Sequence, residues 1–333
     1  MKKGICCAGN MIVDITYPIE TWPKQNELTH ITEGIQNSTG GCVCNSITDL
    51  ARLDPKLPLL ASGFAGHDAE GDFILSELAK YPNIDLGMVR RDGRTSFTAV
   101  MSNSQTKERT FFQHAGANAY YGEEHIDWEK LDVDILHVGY IPLLPALDAP
   151  DAEYGTKMAR LLHRAQEKGI KTSIDVVSEA GDRFAKLVTP ALQYADYCVI
   201  NELEAQQTTG VALRNEDGSL CTENLSAALH KLKEFGVSTW AVIHCPELGC
   251  GVDETGKYFN VPSLKLPKGW IQGTVGAGDA FCAGILYAAE MGWPMEKALT
   301  MGACAAATSL SQVSASAGVG TAEEVLKLYD LYG

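Results

Sequence analysis

The stretch Gly273-Thr-Val-Gly-Ala-Gly-Asp-Ala-Phe281 continues without interruption into the apolar run CAGILYAAEMG. The apolar run predicts a helix, and Gly276 and Gly278 permit a tight turn directly before it. Backbone N–H groups at a helix N-terminus have no intrahelical partners, so several of them can converge on one anion. The stretch therefore predicts a phosphate-binding turn at the start of a helix.

Asp279 lies in the first turn of this helix and allows two interpretations. Aspartate is favoured at helix N-termini, where its carboxylate caps unpaired N–H groups. A carboxylate at that place also lies beside a bound phosphate and can accept the proton of a hydroxyl that attacks phosphorus. The turn taken alone favours capping, so evidence from other parts of the chain is needed to choose between the two roles of Asp279.

Length and charge limit the class of protein. The chain has 333 residues, 45% of them hydrophobic, which is enough for a sizeable core. A formal net charge of -15 without a basic cluster argues against nucleic acid or an anionic membrane as a partner. Asn10 and Asp14 interrupt the first apolar run, and no apolar stretch reaches about 18 residues. These features predict a cytoplasmic protein with a small-molecule partner.

Ten cysteines stand at positions 6, 7, 42, 44, 198, 221, 245, 250, 282 and 304. Most of them lie inside apolar segments, and no pair of CxxC motifs suggests a zinc site. The pattern favours reduced, small core residues over a metal-binding or redox role.

From about residue 130 the chain alternates between strand and helix patterns. Helical stretches such as YGTKMARLLHRAQEKG and ENLSAALHKLKEFG have apolar residues at three- and four-residue spacing and end in glycine. They separate four β-rich runs: DILHVGYI (134–141), KTSIDVV (171–177), YCVIN (197–201) and TWAVIHC (239–245). This alternation predicts a doubly wound, mostly parallel sheet with helices on both faces.

The first third of the chain has a different pattern. KGICCAGN and LPLLASGFAG predict core strands, with the helix GGCVCNSITDLARL between them. Two inserts, about 14–37 and 95–114, contain the half-polar runs LTHITEGIQ, SFTAVMSN and ERTFFQHAG, which predict strands of a small separate sheet. Without a linker or repeat, residues 1–333 are predicted to form one domain with this sheet as a lid.

Two motifs about 235 residues apart connect the two ends of the chain. Gly40, Gly41 and Asn45 fit the pattern GG-x-x-x-N, and Thr274 to Phe281 fit T-x-GAGD-x-F. With these motifs the sequence resembles the PfkB (ribokinase-like) family of carbohydrate and nucleoside kinases over nearly its whole length. The resemblance implies a three-layer α/β/α core with a β-sheet lid, and transfer of the γ-phosphoryl group of ATP to a hydroxyl of a small sugar or sugar acid.

The resemblance also implies roles for the matched residues. Asp14 would accept hydrogen bonds from substrate hydroxyls, and Gly40, Gly41 and Asn45 would hold the substrate and form the lid hinge. Asp279 would be the catalytic base, beside an anion hole formed by Gly276, Ala277 and Gly278. The nucleotide would contact Asn201, His244, Gly249, Thr274 and the glycines of the anion hole, and Asn201 with Glu204 would organise Mg2+.

Two departures from the family pattern affect the donor side. Gly273 stands where the family usually has aspartate, which removes a carboxylate from the monovalent-cation site of some relatives; the sequence therefore predicts little dependence on K+. HCPELG (244–249) replaces the usual T-x-G-x-x-G, and Pro246 lacks an N–H. A single histidine at a strand end is more often structural, so this loop does not identify the donor nucleotide.

Arg109, on a predicted lid strand, is the one cation we place near the acceptor. An exposed arginine is more often a solvated surface charge. If it faces inward, it favours an acidic or highly hydroxylated substrate. The free edges of the lid strands also predict a homodimer through the lid.

Other enzyme classes fit less well. GVDETGK (251–257) matches the P-loop pattern G-x-x-x-x-G-K, but Tyr258 stands where Ser or Thr should follow, and YFNVP continues as a strand, which predicts a hairpin. No G-x-G-x-x-G follows the first strand, so a dinucleotide oxidoreductase is not indicated. A nucleoside kinase and a non-catalytic pseudokinase remain as alternatives.

Overall fold

The computed structural model describes residues 3–106, 108–177, 183–312 and 318–333. Fifteen strands lie in these ranges: β1 (Ile5–Gly9), β2 (Ile12–Ile19), β3 (Gln36–Gly40), β4 (Leu59–Phe64), β5 (Ile84–Arg90), β6 (Ser96–Asn103), β7 (Arg109–His114), β8 (Ile135–Ile141), β9 (Pro150–Asp151), β10 (Gly155–Thr156), β11 (Lys171–Val176), β12 (Tyr197–Asn201), β13 (Trp240–His244), β14 (Leu248–Val252) and β15 (Tyr258–Pro262).

Ten α-helices occur in the same ranges: α1 (Gly41–Leu53), α2 (Ala69–Leu78), α3 (Pro145–Asp148), α4 (Lys157–Glu167), α5 (Phe184–Leu192), α6 (Glu202–Thr209), α7 (Thr222–Glu234), α8 (Ala277–Glu290), α9 (Met295–Ser309) and α10 (Ala322–Tyr332). Among the described residues, no helix is both long and apolar enough to cross a membrane.

A nine-stranded sheet forms the centre, in the order β15-β14-β13-β12-β11-β8-β1-β4-β5. Neighbouring strands are parallel from β13 to β5, and β14 and β15 add an antiparallel edge. The prediction of a mostly parallel, doubly wound sheet is confirmed. Because strand order changes direction beside β1, the carboxyl ends of the central strands open into a crevice.

Helices cover both faces of this sheet because its central strands are buried on both sides. In β1, Ile5 and Cys7 belong to one hydrophobic cluster, which also contains residues of α1, α2, α8, α9 and α10. Cys6 and Ala8 point to the opposite face and join the cluster that contains residues of α4, α5, α6 and α7. The predicted three-layer arrangement is therefore observed.

A second, small sheet has four strands in the order β3-β2-β6-β7. β2 and β6 are parallel, whereas β3 and β7 pair antiparallel at the two edges. The runs SFTAVMSN and ERTFFQHAG supply β6 and β7 as predicted.

The strand predicted at LTHITEGIQ (28–36) is wrong. The segment between β2 and β3 is irregular, apart from one bridge between Ile19 and Ile31 and the first residue of β3. Its apolar side chains Leu28, Ile31 and Ile35 are exposed, so their spacing does not mark a buried face. The strand of this insert that pairs with both neighbours is β2, which starts at Ile12, before the predicted insert begins.

The segment GVDETGK joins β14 to β15 in an antiparallel hairpin. The Asp253 carboxylate accepts hydrogen bonds from the Thr255 and Lys257 amides, 2.9 and 3.0 Å away, which closes the turn. No helix follows this glycine-rich turn, so the P-loop interpretation is excluded here. The ten cysteines are free, and nine of them are buried, as the sequence indicates.

Candidate active site

The turn at the start of α8 has the conformation that its glycines predict. Gly276 caps the helix with φ 82°, in the left-handed region that favours glycine. Its carbonyl accepts the Ala280 amide at 2.8 Å, so the N–H groups of Ala277, Gly278 and Asp279 lie in the open first turn. The helix start is thus an anion-binding arrangement in geometry as well as in sequence.

Asp279 is 8% exposed and is held by two donors from other elements. Asn45 Nδ2, one turn into α1, donates to Asp279 Oδ2 at 2.9 Å. The hydroxyl of Tyr140, at the end of β8, donates to the same oxygen at 3.0 Å. The carboxylate is therefore oriented by the α1 helix that the GG-x-x-x-N motif opens.

The pKa of Asp279 is raised to about 7. Burial is the main cause, and the nearby Asp175 carboxylate adds to it, whereas the hydrogen bonds from Asn45 and Tyr140 act in the opposite direction. A carboxyl group with this pKa changes its protonation near neutral pH. It is suited to accept a proton from a hydroxyl.

Residues 274–279 border three cavities, which we name by their linings. The polar cavity, of about 480 Å3, includes Val275 in its wall. The small cavity, of about 160 Å3, includes Gly278 and Asp279. The apolar cavity, of about 600 Å3, includes Thr274, Ala277 and Gly278. The glycine-rich turn therefore separates a polar chamber from an apolar one.

The polar cavity lies between the small sheet and α1. Polar side chains of both elements line it: Asp14, Thr16, Gln36, Asn37, Ser38, Thr39, Thr48 and Arg52. A side chain at Gly40 would overlap the Asp14 carboxylate, so glycine is required for Asp14 to occupy its position. A side chain at Gly41, which has φ +82°, would lie 2.5 Å from the Asn10 carbonyl oxygen. Steric constraints within the site therefore explain why glycine occupies both positions.

Arg109 also lines the polar cavity, from the edge strand β7. Burial raises the pKa of Asp14, and this is opposed by a hydrogen bond from Thr98 and by attraction to the Arg109 guanidinium. The structure therefore places both predicted residues, Asp14 and Arg109, at the same chamber. A chamber with hydroxyl, amide, carboxylate and guanidinium groups matches a hydroxylated small molecule.

The apolar cavity lies on the other side of the turn. Aliphatic side chains from the β15–α8 connection and from α9 form most of its wall: Leu264, Leu266, Ile271, Ala303, Ala306, Ala307 and Leu310. Thr274 and His244 border it near the α8 N-terminus. Its size and lining suit a flat ring system that is placed with attached phosphates toward α8.

Asn201 and Glu204 form a reciprocal cap at the start of α6. Glu204 N donates to Asn201 Oδ1 at 2.9 Å, and Asn201 N donates to Glu204 Oε2 at 2.8 Å. Both residues also line the small cavity together with Asp279. Their oxygen donors are of the type that a hard divalent cation prefers, so the donor set fits Mg2+ while it also caps the helix.

His244 is half-buried and lines both the small and the apolar cavity. Burial lowers the pKa of its imidazole to about 4, despite the opposing charge of Asp175. The ring is therefore neutral at pH 7 and packs at 5.0 Å from the ring of Phe281. It can offer a hydrogen bond to a phosphate, but not a positive charge.

Gly249 does not line the apolar cavity. It is buried in β14, opposite His244, and a side chain there would collide with the Phe281 ring. The geometry gives Gly249 a packing role, and its predicted contact with a nucleotide stays a prediction.

Comparison with known proteins identifies the family. Residues 2–322 match the sequence model described as pfkB family carbohydrate kinase. The chain belongs to this family.

Relatives of this pfkB-family protein are distant in sequence and close in fold. A ribokinase from Arabidopsis thaliana is 25% identical over 323 residues, which cover 96% of this chain and 79% of the ribokinase. A nucleoside kinase from Methanocaldococcus jannaschii is 21% identical and covers 92% of this chain and 89% of its own length. The solved structure of A. thaliana ribokinase with ribose and ATP superimposes with a TM-score of 0.80 at 22% identity, over 98% of this chain and 99% of the other. The ribokinase-like fold is confirmed.

Two residues at the pfkB-family site were not predicted from the sequence, Tyr140 and Asp175. Tyr140 has φ 62°, and its amide donates to Asp175 Oδ1 at 2.5 Å while its hydroxyl reaches Asp279. Both residues stand at the carboxyl ends of neighbouring parallel strands, β8 and β11. Polar residues at strand ends near a change in strand order are a recognisable signal, which could have identified them.

Proposed function

We propose that this pfkB-family protein is an ATP-dependent kinase that transfers the γ-phosphoryl group to a hydroxyl of a small sugar or sugar acid. One observation carries the proposal: Asp279, with a pKa near 7, lines the small cavity at the N-terminus of α8, and the turn that holds it borders both the polar and the apolar cavity. The polar cavity receives the acceptor, and the apolar cavity receives the adenine ring.

The reaction follows from this placement. The acceptor hydroxyl gives its proton to the Asp279 carboxylate while its oxygen forms a bond to the γ-phosphorus. The bond between the γ-phosphorus and the β,γ-bridging oxygen breaks, and ADP leaves. N–H groups of residues 276–278 stabilise the negative charge on the transferred group, because they point outward without intrahelical partners.

Side chains around the turn orient the two substrates. Asp14 accepts hydrogen bonds from acceptor hydroxyls, and Asn45 holds the base in position through its bond to Asp279. Thr274 and neutral His244 border the path of the triphosphate. Asn201 and Glu204 would hold Mg2+, which neutralises phosphate charge when it is bound.

Gly273 bears on the ion requirement. Its amide lies 3.5 Å from the Leu310 carbonyl, and glycine supplies no carboxylate to a monovalent cation at this place. A cation held only by neutral carbonyl groups loses its one full opposite charge, so we infer that activity depends little on K+. A tenfold higher rate in K+ than in Na+ at equal ionic strength would contradict this.

The lining of the polar cavity narrows the class of acceptor. Arg109 in its wall favours a sugar acid or another highly hydroxylated acceptor. A nucleoside is the alternative acceptor, which the relation to the M. jannaschii nucleoside kinase supports. The hydrogen-bonded Asp279 argues against a pseudokinase, because such a protein has no use for a buried base.

An acceptor screen tests the proposal. Purified protein is incubated with Mg-ATP and pentoses, hexoses, sugar acids, inositols or nucleosides, and phosphorylated products are identified by mass spectrometry. We expect one class to be phosphorylated with stoichiometric release of ADP, and Asp279→Asn to form almost no product. Binding of ATP and of a sugar without transfer to any acceptor would instead identify a pseudokinase.

A further inference from the structure

Three buried side chains with metal-binding atoms converge beside the small cavity. Cys42 comes from α1, His137 from β8 and Asp175 from β11. One ligand atom of each lies within 4.8 Å of the other two, and in the described part of the chain this is the single such group of histidine, cysteine and acidic residues. Cys42 and His137 are fully buried, and Asp175 is 6% exposed.

Two of the three distances between these atoms are close to those around a tetrahedral zinc ion. The Cys42 sulfur lies 3.3 Å from His137 Nε2, and the same nitrogen lies 3.5 Å from Asp175 Oδ2. With usual zinc–ligand bond lengths, a tetrahedral site separates sulfur from nitrogen by about 3.6 Å and nitrogen from oxygen by about 3.4 Å. The third pair, the Cys42 sulfur and an Asp175 oxygen, lies within 4.8 Å, so the three ligand atoms are close enough together to bind one ion.

The other polar atoms of His137 and Asp175 bind neighbouring groups, and these contacts keep the ligand atoms directed toward one another. His137 Nδ1 lies 3.0 Å from Ser173 Oγ, and the Tyr140 amide donates to Asp175 Oδ1 at 2.5 Å. Metal-binding histidines and carboxylates are usually oriented by such outer partners. A side chain at Gly139 would overlap both the Cys42 sulfur and the Asp175 carboxylate, so glycine at this position keeps the space between them open.

Charge and chemistry select the kind of ion. A thiolate and a carboxylate together neutralise a doubly charged cation, so the loaded site is uncharged, as a buried position requires. Sulfur and imidazole ligands favour Zn2+ and related transition metals over Mg2+. We propose that the protein binds one Zn2+ or a chemically similar ion through Cys42, His137 and Asp175, at the wall of the small cavity and through residues other than Asn201 and Glu204.

The sequence favours the interpretation that its cysteines are buried core residues, and metal binding by Cys42 departs from that interpretation. The departure concerns Cys42 only, because within the described residues it alone among the ten cysteines has both a histidine and a carboxylate in this arrangement. On binding, the Cys42 S–H bond breaks, the sulfur binds the metal and one proton is released to solvent. Affinity therefore increases with pH.

Occupation of the site has a consequence for the reaction. Asp175 lines the small cavity together with Asp279, Asn201 and Glu204, so an ion bound to Asp175 lies beside the proposed base and beside the residues that would hold Mg2+. We expect micromolar Zn2+ to inhibit phosphoryl transfer at saturating Mg-ATP. This consequence rests on the proposed kinase activity, whereas binding of the ion does not.

Cobalt substitution tests the binding itself. Full-length protein is titrated with Co2+ while its absorption spectrum is recorded, and Zn2+ is then added as a competitor. We expect one equivalent of Co2+ with a thiolate-to-cobalt charge-transfer band and with the strong visible bands of a tetrahedral ion, both removed by Zn2+. Cys42→Ala should abolish the charge-transfer band, and His137→Gln should weaken binding by at least about tenfold.

The matched control is Cys304→Ala, which removes an equally buried helical thiol on α9. It should keep the wild-type cobalt spectrum, and thermal unfolding without metal verifies that each variant is folded. A wild-type spectrum without a thiolate band, or one that persists in folded Cys42→Ala, would overturn the site. Zinc binding without inhibition would leave the site intact and refute only its effect on the reaction.

Discussion

Asp279 combines burial with hydrogen bonding, and the two act in opposite directions on its protonation. Two donors stabilise the carboxylate, but burial and the Asp175 charge dominate and bring the pKa to about 7. The folded protein therefore holds this proton more tightly than the unfolded chain, in which the carboxyl group has a pKa near 3.9. A group that is useful as a base is, for the same reason, costly to keep ionised.

This cost predicts how stability changes with pH. Between about pH 4 and 7 the folded state keeps the Asp279 proton while the unfolded state loses it, so this group makes the protein less stable as pH rises. Asp279→Asn removes the charge but can still accept hydrogen bonds from Asn45 and Tyr140. We expect it to increase the free energy of unfolding at pH 8 by at most about 4 kcal/mol, and little at pH 4. Denaturant unfolding at both pH values measures this; a variant less stable than wild type at pH 8 would contradict it.

Asp14 is predicted to control the affinity for the acceptor. Its carboxylate faces the polar cavity, and each hydrogen bond to a charged group contributes about 1.5 to 3 kcal/mol. Asp14→Ala should weaken acceptor binding at least about tenfold while ATP affinity stays nearly constant. Calorimetric titration with each substrate separates the two effects. Equal losses of both affinities would indicate a folding defect and would refute the assigned role.

The small sheet and helix α1 connect the polar cavity, which we propose binds the acceptor, to Asp279, the proposed base. Gly40 ends β3 against Asp14, Gly41 starts α1, and Asn45 on that helix holds Asp279. A chamber walled by the small sheet can exclude water from phosphoryl transfer if the sheet closes over it. Gly40 and Gly41 are the positions where the backbone can bend with least steric cost.

Closure predicts a pattern of hydrogen exchange. Adding the acceptor identified by the screen should slow amide exchange in β2, β3, β6 and β7. The antiparallel strands β14 and β15 of the large sheet provide the internal control, since they do not line the polar cavity and should exchange as before. Unchanged exchange in the small sheet at saturating acceptor would exclude closure.

The central strands and the flanking helices were predictable because their patterns reflect burial. Strand β6 of the small sheet also has the predicted bounds, since its residues alternate between the two faces of that sheet. The strand predicted at 28–36 was wrong because the spacing of apolar residues alone does not distinguish the buried face of a strand from an exposed loop. Tyr140 and Asp175 were missed because their importance arises from neighbouring strands that are distant in sequence.

In the whole molecule, one edge strand and one face of the small sheet are exposed. Phe111 lines the polar cavity from β7, so the adjacent Phe112, 58% exposed, faces the opposite side of the sheet. An unpaired edge strand with exposed aromatic residues is a surface that a second copy can cover. This supports the predicted homodimer through the small sheet.

The dimer can be tested with one surface charge. Phe112→Lys should shift the protein from dimer to monomer in sedimentation equilibrium at micromolar concentration, because the charge would be buried at the interface. Leu331→Lys is the matched control: Leu331 is 70% exposed, but it lies on α10, away from the small sheet, and the control should remain dimeric. A monomeric wild-type protein would refute the dimer.

The role of Asp279 as the catalytic base is tested most directly by the turnover of Asp279→Asn with the identified acceptor. The substitution keeps the size of the side chain and removes the proton acceptor, so kcat should fall by about two to four decades while both substrate affinities change little. Asp253→Asn is the control, because this carboxylate only closes the β14–β15 turn, and its kcat should match wild type. An Asp279→Asn enzyme that turns over near the wild-type rate would show that Asp279 only holds Asn45 and Tyr140 in place and is not the base.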